Sequence, residues 1–308
     1  MEQDTDALLT IRDFVRWGAS RFVDAKLYYG HGTDNPLDEA LVLVLSALSL
    51  ASGLPDHYLD SRVTRPERAR ILDIFGQRIE HRVPAAYLTQ EAAFAGLRFY
   101  VNEHVLVPRS PIAELIEAGF EPWVDPDSVT RVLDLCTGSG CIGIGCAYSF
   151  PDASVDAVDI SPTALAVARK NIARHHLEER VEAIQSDLFS ALKGRRYDLI
   201  VSNPPYVSLE EYSALPKEYH QEPILALEAG PDGLEFVSRI LQEAADYLEV
   251  GGILVVEVGR SAEALIDRYP QLPFLWIDFE RGGDGVFLLT AEQLNEFQTY
   301  LDTDRNLS

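Results

Sequence analysis

Positive charge is scarce in this 308-residue chain: 26 lysines and arginines stand against 49 aspartates and glutamates, a formal net charge of -23 at pH 7. A protein that grips nucleic-acid phosphates displaces counterions with Lys and Arg. An acidic excess of this size instead repels a polyanion over a Debye length of about 8 Å at physiological salt. Basic macromolecules are the expected partners, with no nucleic acid bound directly. Cysteine is scarcer still. Cys136, Cys141 and Cys146 fall within eleven residues of an apolar stretch, an odd number preceded by no secretory leader, and point to a reducing, cytoplasmic setting. No apolar run reaches the ~20 residues of a membrane span. The most apolar, Leu41 to Ser52, reads as a buried helix. There is no internal repeat and no low-complexity tract. With 47% hydrophobic and 24% charged residues the composition is that of a globular protein with a sizeable core, and the length suits two domains.

Helical spacing fills the first part of the chain. Leu8, Ile11, Phe14, Val15 and Phe22 recur at helical intervals. A second helix follows Asn35-Pro36, runs through Leu41 to Leu50 and stops at Gly53-Leu54-Pro55. A third opens at Thr64, with Pro66 in its first turn, and carries Ile71, Leu72, Phe75 and Ile79 on one face. No catalytic constellation occurs here, so the region reads as a packed helical unit that helps to hold a partner. From Phe94 the period falls to two. Phe94 to Val101, then Asn102-Glu103, then His104 to Val107 predicts a β-hairpin turning at Asn102-Glu103. Pro108-Arg109-Ser110-Pro111 closes it, and helical spacing resumes from Ile112 to Phe120.

After Thr130, strand, turn and helix alternate. Strands fit Val132 to Leu135, Ser154 to Val158, Val181 to Ile184, Leu199 to Ser202 and Ile253 to Glu257; helices fit Ile142 to Tyr148, Pro162 to His175 and Leu234 to Leu248. This predicts an α/β fold, a mainly parallel Rossmann-like sheet with helices on both faces. Phe274 to Phe279 and Gly285 to Leu289 predict a terminal antiparallel strand pair. Acid concentrates in this half: residues 1–115 carry 16 acidic and 12 basic side chains, the remainder 33 and 14.

The first of these strands runs into Asp134-Leu135-Cys136-Thr137-Gly138-Ser139-Gly140, and a helix begins at once. Glycine there lets the chain turn sharply and lets a ligand lie against bare backbone, facing helix N-terminal amides. Gly138-x-Gly140-x-x-Gly143, with Asp159 at the spacing of a ribose-binding acid, satisfies a dinucleotide fingerprint. A nicotinamide enzyme and an S-adenosylmethionine enzyme both fit it, since each binds adenosine at the switch point of the sheet.

Asn203-Pro204-Pro205-Tyr206, directly after the fourth strand, discriminates between them. The nitrogen of an amide or aromatic amine is a poor nucleophile because its lone pair is delocalised, and a site that methylates it has to localise that pair. The Asn203 side-chain oxygen and the Pro204 carbonyl can accept the two N–H bonds of an NH2 group and favour the charge that develops as a methyl group arrives. Pro204 and Pro205 stiffen the loop without competing N–H donors. Tyr206 offers a flat face to a planar amide, and its π cloud favours positive charge near the sulfonium and the attacked nitrogen. No metal, strong base or covalent nucleophile is required. Alone, these four residues read equally well as a turn; their place in a sheet with a glycine loop and Asp159 favours the amine reading.

On these residues the sequence resembles the protein glutamine methyltransferases, which move a methyl group from S-adenosylmethionine to a glutamine side-chain amide. The resemblance covers nearly the whole chain. It takes in the helical part, the hairpin, the glycine loop, Asn203 to Tyr206, Gln221-Glu222-Pro223 with Ala226-Leu227, Gly230-Pro231-Asp232-Gly233-Leu234, and Val256-Glu257-Val258-Gly259. One branch of the family acts on class one peptide-chain release factors and another on the third protein of the large ribosomal subunit. Val107 to Leu115 and Gly283 to Leu289 look like the second branch.

The resemblance implies a class I S-adenosylmethionine-dependent methyltransferase sheet over residues 116–308, a helical substrate-recognition domain over 1–90 and a β-hairpin linker over 91–115. It implies S-adenosylmethionine as cofactor, no metal, and a basic ribosomal protein as partner. By position, Cys136, Thr137, Gly138 and Gly140 pack against the methionine part of the cofactor, with Asp134 in the same binding set. Asp159 binds the ribose hydroxyls, Asp187 and Leu188 border the adenine, and Asn203, Pro204, Pro205 and Tyr206 hold the glutamine amide. Cys136 stands where many relatives carry glycine, and Leu188 where an aromatic is common.

Other candidates read more plainly. The cysteines are small buried thiols without histidine support for a metal, and His175-His176 complements a helix C-terminus. Arg109 reads as a hairpin-to-helix tether. Glu222, close downstream of the Asn203 loop, either orients that loop or meets a basic substrate. A DNA amino-methyltransferase shares Asn203 to Tyr206 but needs a basic cleft, whereas the chain from Val201 onward holds 20 acidic and 6 basic residues. A nicotinamide oxidoreductase leaves that loop unexplained. A non-catalytic assembly factor that binds the cofactor only as a structural ligand is the reading from outside enzymology.

Overall fold

Thr10, Asn35 and Thr64 open the first three helices by the capping chemistry their sequence carries. Thr10 Oγ1 accepts the Asp13 N–H while Asp13 accepts that of Thr10, Asn35 caps the Leu37 and Asp38 amides, and Thr64 pairs with Glu67. The computed structural model describes residues 5–51 and 53–305. The chain divides into two compact units, one of residues up to Ala92 together with Pro216–Gln221, the other of Ala93–Leu215 together with Glu222 onward.

The first unit holds α1 (Ile11–Asp24), α2 (Pro36–Ala47), α3 (Arg65–Glu80) and α4 (Ala85–Thr89). Phe14, Phe22, Leu43, Ile71 and Phe75 are fully buried between them. α2 ends before the expected Leu50 because Ser49 turns left-handed (φ 57°) and the amides of Ser49 and Leu50 close back on Ser46 and Leu45; Ser52 of that apolar run lies outside the described residues. Beside this core sits a buried polar knot. Arg78, 1% exposed, donates to Glu39 at 2.7 Å, to Glu218 at 3.3 Å and to the Tyr28 carbonyl at 2.8 Å. Glu218 also accepts from the Tyr28 N–H and from Arg82. Burial opposes ionisation of Glu218, yet the Tyr28 amide and Arg78 hold its carboxyl below the ordinary value. A buried charge persists only when paired and hydrogen-bonded in this way.

A hairpin of β1 (Glu91–Phe94) and β2 (Leu97–Tyr100) follows. It turns at Ala95-Gly96, not at Asn102-Glu103. Both turn residues are left-handed, at φ 45° and 72°, the geometry of a two-residue hairpin turn. Residues 101–107 form no strand: the Asn102 side chain takes the His104 N–H, and Glu222 takes that of Val107. Then come α5 (Ile112–Glu117), β3 (Arg131–Leu135), α6 (Cys141–Ser149), β4 (Ser154–Asp159), α7 (Pro162–Arg174), β5 (Val181–Gln185), β6 (Tyr197–Ser202) and α8 (Leu209–Ala214). The chain ends with α9 (Glu235–Glu243), β7 (Leu248–Glu257), α10 (Ala262–Arg268), β8 (Leu275–Trp276), β9 (Val286–Thr290) and α11 (Ala291–Arg305), the last a helix the sequence reading did not anticipate.

Seven strands form one sheet in the order β5-β4-β3-β6-β7-β9-β8, parallel as far as β7 and antiparallel at β9 and β8. The α/β fold and its antiparallel terminal pair are therefore as the sequence predicts. The period of two divides the sheet's apolar residues between two cores. Val132, Val201 and Val255 join α5, α6 and α7 on one face, while Leu133, Ile200 and Leu254 join α9, α10 and α11 on the other. His175 caps α7, but its ring nitrogens meet Tyr148 Oη and the Arg98 carbonyl instead of the helix's own carbonyls.

Candidate active site

β3 lies between β4 and β6, so the order of connections reverses at this strand and a crevice opens beyond the strands' C-terminal ends. The register then decides which residues meet there. Leu135 stands opposite Val158 on one side and Ser202 on the other. Cys136, Asp159 and Asn203, each one residue further along, emerge side by side. Ser202 Oγ donates to the Leu135 carbonyl at 2.8 Å and ties the bases of the two loops together.

The glycine loop is braced from below by Asp134. Its Oδ2 accepts from Thr137 Oγ1 and, at 2.8 Å, from the Gly143 N–H at the start of α6. Gly143 permits this approach, since a Cβ there would stand 3.0 Å from the same oxygen. Asp134 is wholly buried, and burial pushes its carboxyl up to about 7. Above it the backbone runs left-handed through Cys136 (φ 60°), Gly138 (φ 54°) and Gly140 (φ 82°). Nothing lies within 4 Å of where a Gly138 Cβ would point, so bare backbone faces open space. Asp159 accepts the Gly138 N–H and the Ser161 N–H at 2.9 Å each, one on each oxygen. Burial raises its carboxyl as well, and each oxygen retains acceptor capacity for a ligand hydroxyl.

These loops enclose a cavity of about 520 Å³, a size typical of small-molecule sites. Cys136, Thr137, Gly138, Asp159, Asp187, Leu188 and Asn203 all line it, with Pro205. Asp134 and Gly140 do not: the first lies beneath the loop, and the second packs toward Ala168. Leu188 is buried and left-handed (φ 46°), its carbonyl held by Ser186 Oγ, and Asp187 pairs with Arg239 at 2.8 Å. Burial pushes all three cysteine thiols up.

Within the loop after β6, Pro204 is buried and Tyr206 is half-exposed outside the cavity wall. The Tyr206 hydroxyl donates to Glu257 Oε1 at 2.9 Å, and Glu257 Oε2 accepts from Ser110 Oγ at 2.5 Å. Glu222 does not reach the wall. Its side chain is fully buried, clamped by both Arg109 nitrogens at 2.7 and 2.8 Å and by the Val107 N–H at 2.9 Å. Arg109 borders the cavity and, through Glu222, ties residues 107–109 to the chain after the Asn203 loop. Ser110, Arg239 and the function of Glu257 escaped the sequence reading. An acid ending a strand as apolar as Ile253 to Val256 is a signal of buried polar chemistry that could have singled out Glu257. Among the described residues no group of three or more His, Cys, Asp or Glu is placed to hold a metal ion, and no helix is long and apolar enough to cross a membrane.

A family model described as "Methyltransferase small domain" matches residues 123–217. Among solved structures, the hMettl16 catalytic domain in complex with MAT2A 3'UTR hairpin 6 aligns with a TM-score of 0.50 at 17% identity, over 74% of this chain and 81% of that one; the likeness concerns the fold alone. Fold and site together define a class I methyltransferase. The chain is 50% identical over 292 residues to a "Ribosomal protein uL3 glutamine methyltransferase" of Francisella tularensis, covering 94% of this chain and 93% of that protein. It is 52% identical over 289 residues to a protein of the same name from Xanthomonas campestris pv. campestris, with 94% of each covered. The chain belongs to the family of ribosomal protein uL3 glutamine methyltransferases.

Proposed function

We propose that this chain transfers a methyl group from S-adenosylmethionine to the side-chain amide nitrogen of a glutamine in ribosomal protein uL3, acting in the cytoplasm. The supporting observation is that Asn203 shares one cavity wall with Cys136 and Asp159, in a chain whose half-identical relatives are named for this activity. Asp159 binds the ribose hydroxyls, the backbone from Cys136 to Gly138 lies along the methionine part, and Asp187 and Leu188 border the adenine. Asp134 and Gly140 support that loop from behind. When bound, S-adenosylmethionine supplies an electrophilic methyl group on a sulfonium.

The Asn203 side-chain oxygen and the Pro204 carbonyl accept the two N–H bonds of the glutamine amide and favour the charge that develops on nitrogen. Pro204 and Pro205 fix those acceptors in advance, so little reorganisation is needed at the moment of transfer. Tyr206 packs against the amide plane. Holding nitrogen and methyl carbon in line contributes much of the rate, and such a displacement requires no metal. Glu222 orients residues 107–109 and the loop beside them, leaving substrate contact to residues 203–206. Residues 1–90 recognise the substrate, 91–115 link, and 116–308 carry the transfer. The acidic excess after residue 115 attracts a protein that is basic in order to bind RNA.

Methyl-labelled S-adenosylmethionine, incubated separately with purified uL3 and purified release factor, tests the reading. Label is expected in uL3; label in release factor alone overturns the substrate assignment. Asn203→Ala is expected to keep uL3 binding and lose methylation, and undiminished methylation overturns the mechanism.

A further inference from the structure

Tyr206 is set in place by stretches of chain far from it in sequence. Its hydroxyl donates to Glu257 Oε1 at 2.9 Å. Glu257, 5% exposed, ends β7, and its other oxygen takes the Ser110 hydroxyl at 2.5 Å. Ser110, 7% exposed, in turn accepts the Ile112 N–H at 3.2 Å, which fixes its rotamer at the start of α5. The ring itself lies on bare backbone. Gly259 is left-handed at φ 47°, and a Cβ there would stand 2.7 Å from Tyr206 Cε2. The Tyr206 carbonyl is held by Ser261 Oγ at 2.7 Å. Val256 to Gly259, which the sequence offered without a role, thus seats this side chain, while Gly233 lies close against the Tyr206 backbone carbonyl.

A carboxylate is an expensive way to finish an apolar strand. Val255, Val256 and Val258 around it are fully buried, and an apolar residue in place of Glu257 would satisfy the fold without desolvating a charge. Glu257 does not line the cavity, so direct contact with cofactor does not explain it. A hydrogen bond donated to a carboxylate does two things for a phenol: it fixes the ring plane, and it pushes electron density into the ring, deepening the negative face that a nearby cation meets.

We infer that Glu257 is a positioning residue for methyl transfer, fixing the Tyr206 ring against the amide held by Asn203 and Pro204, with Ser110 fixing Glu257 in turn. The inference rests on the proposed assignment of Tyr206 to the glutamine amide. Glu257→Leu removes the acceptor while suiting its apolar neighbours, and Glu257→Gln keeps an acceptor for the tyrosine hydroxyl. With uL3 and S-adenosylmethionine, Glu257→Leu is expected to lower kcat roughly 10- to 100-fold with KM for uL3 and cofactor affinity by calorimetry unchanged. Glu257→Gln restores most of kcat. In a Tyr206→Phe background Glu257→Leu has no further effect. Losses that multiply across the two substitutions, or a cofactor affinity that falls in step with kcat, overturn the inference.

A readout without turnover separates this idea from the reading it rests on. In protein labelled at the tyrosine ζ carbon, the resonance lost in Tyr206→Phe is expected to shift in Glu257→Leu and to stay close to wild type in Glu257→Gln. An unmoved resonance overturns the positioning contact. A resonance that shifts as expected in Glu257→Leu, while the wild-type protein methylates neither uL3 nor release factor, keeps the positioning contact and overturns the proposed function instead.

Discussion

Arg109→Ala tests how much of the catalytic unit depends on one ion pair. The substitution deletes the two hydrogen bonds, at 2.7 and 2.8 Å, by which Arg109 clamps Glu222. The arginine side chain is 25% exposed, so water screens the pair little, and the glutamate side chain is fully buried. Removing one partner of a buried pair leaves a charge poorly compensated and costs about 3–5 kcal/mol. At about 2–4 °C per kcal/mol for a domain of this size, the calorimetric Tm of the catalytic unit should fall by about 6–20 °C. Replacing both partners with apolar residues removes the buried charge altogether. The double variant Arg109→Met, Glu222→Leu should therefore recover most of the loss in differential scanning calorimetry. A single-variant cost below about 1 kcal/mol, the range of exposed pairs, refutes the argument, as does a double variant no better than the single.

The Asp134 carboxyl, pushed up to about 7, binds its proton more tightly in the folded state than in the unfolded. The stability this gives is complete below about pH 4 and is lost as pH rises through about 7, a change of about 4 kcal/mol. Asp134→Asn should flatten urea-unfolding free energies across that window, and an unchanged slope assigns the proton elsewhere. Asp159→Ala should weaken S-adenosylmethionine binding roughly 10- to 100-fold by removing charge-assisted hydrogen bonds; calorimetry showing wild-type affinity refutes the ribose assignment. Gly259→Ala adds a Cβ 2.7 Å from the Tyr206 ring in a left-handed position. It should depress kcat while leaving cofactor affinity intact, and wild-type turnover argues that the ring does not need its flat backbone seat.

The features legible in the sequence were those encoded over short distances. Strand periodicity located β3 to β7, and the ends of β3, β4 and β6 supplied Cys136 to Gly138, Asp159 and Asn203 to the cavity wall because parallel register carries strand ends to one edge. The hairpin turn was misjudged because Ala95 holds a left-handed angle that its residue type seldom adopts, while Asn102-Glu103 offered the more familiar turn chemistry. The α11 helix was missed although Leu294, Phe297 and Leu301 recur along it at helical intervals. Asp134 was grouped with the cofactor contacts because spacing cannot tell a carboxylate above a loop from one below it. Glu257 and Glu222 were harder again: their partners Ser110 and Arg109 lie 147 and 113 residues away, and no local pattern announces such pairs.

Pro216–Gln221 belongs to the helical unit although it is made long after the rest of that unit. Glu218 reaches the Tyr28 amide across 190 residues and Arg78 across 140. During synthesis the four helices emerge first, yet their buried polar knot lacks one of its two carboxylates until residue 218 leaves the ribosome. At 5–20 residues per second the delay from Ala92 is roughly 6–25 s. In that interval Arg78 has Glu39 but not Glu218, and the N-terminal piece is a nascent chain that has not finished folding. The two units are therefore stitched in time as well as in sequence. A fragment ending near residue 92 is expected to be less stable than the same helices in the full chain, and gene fusions or truncations that treat it as a detachable module lack the Glu218 contacts.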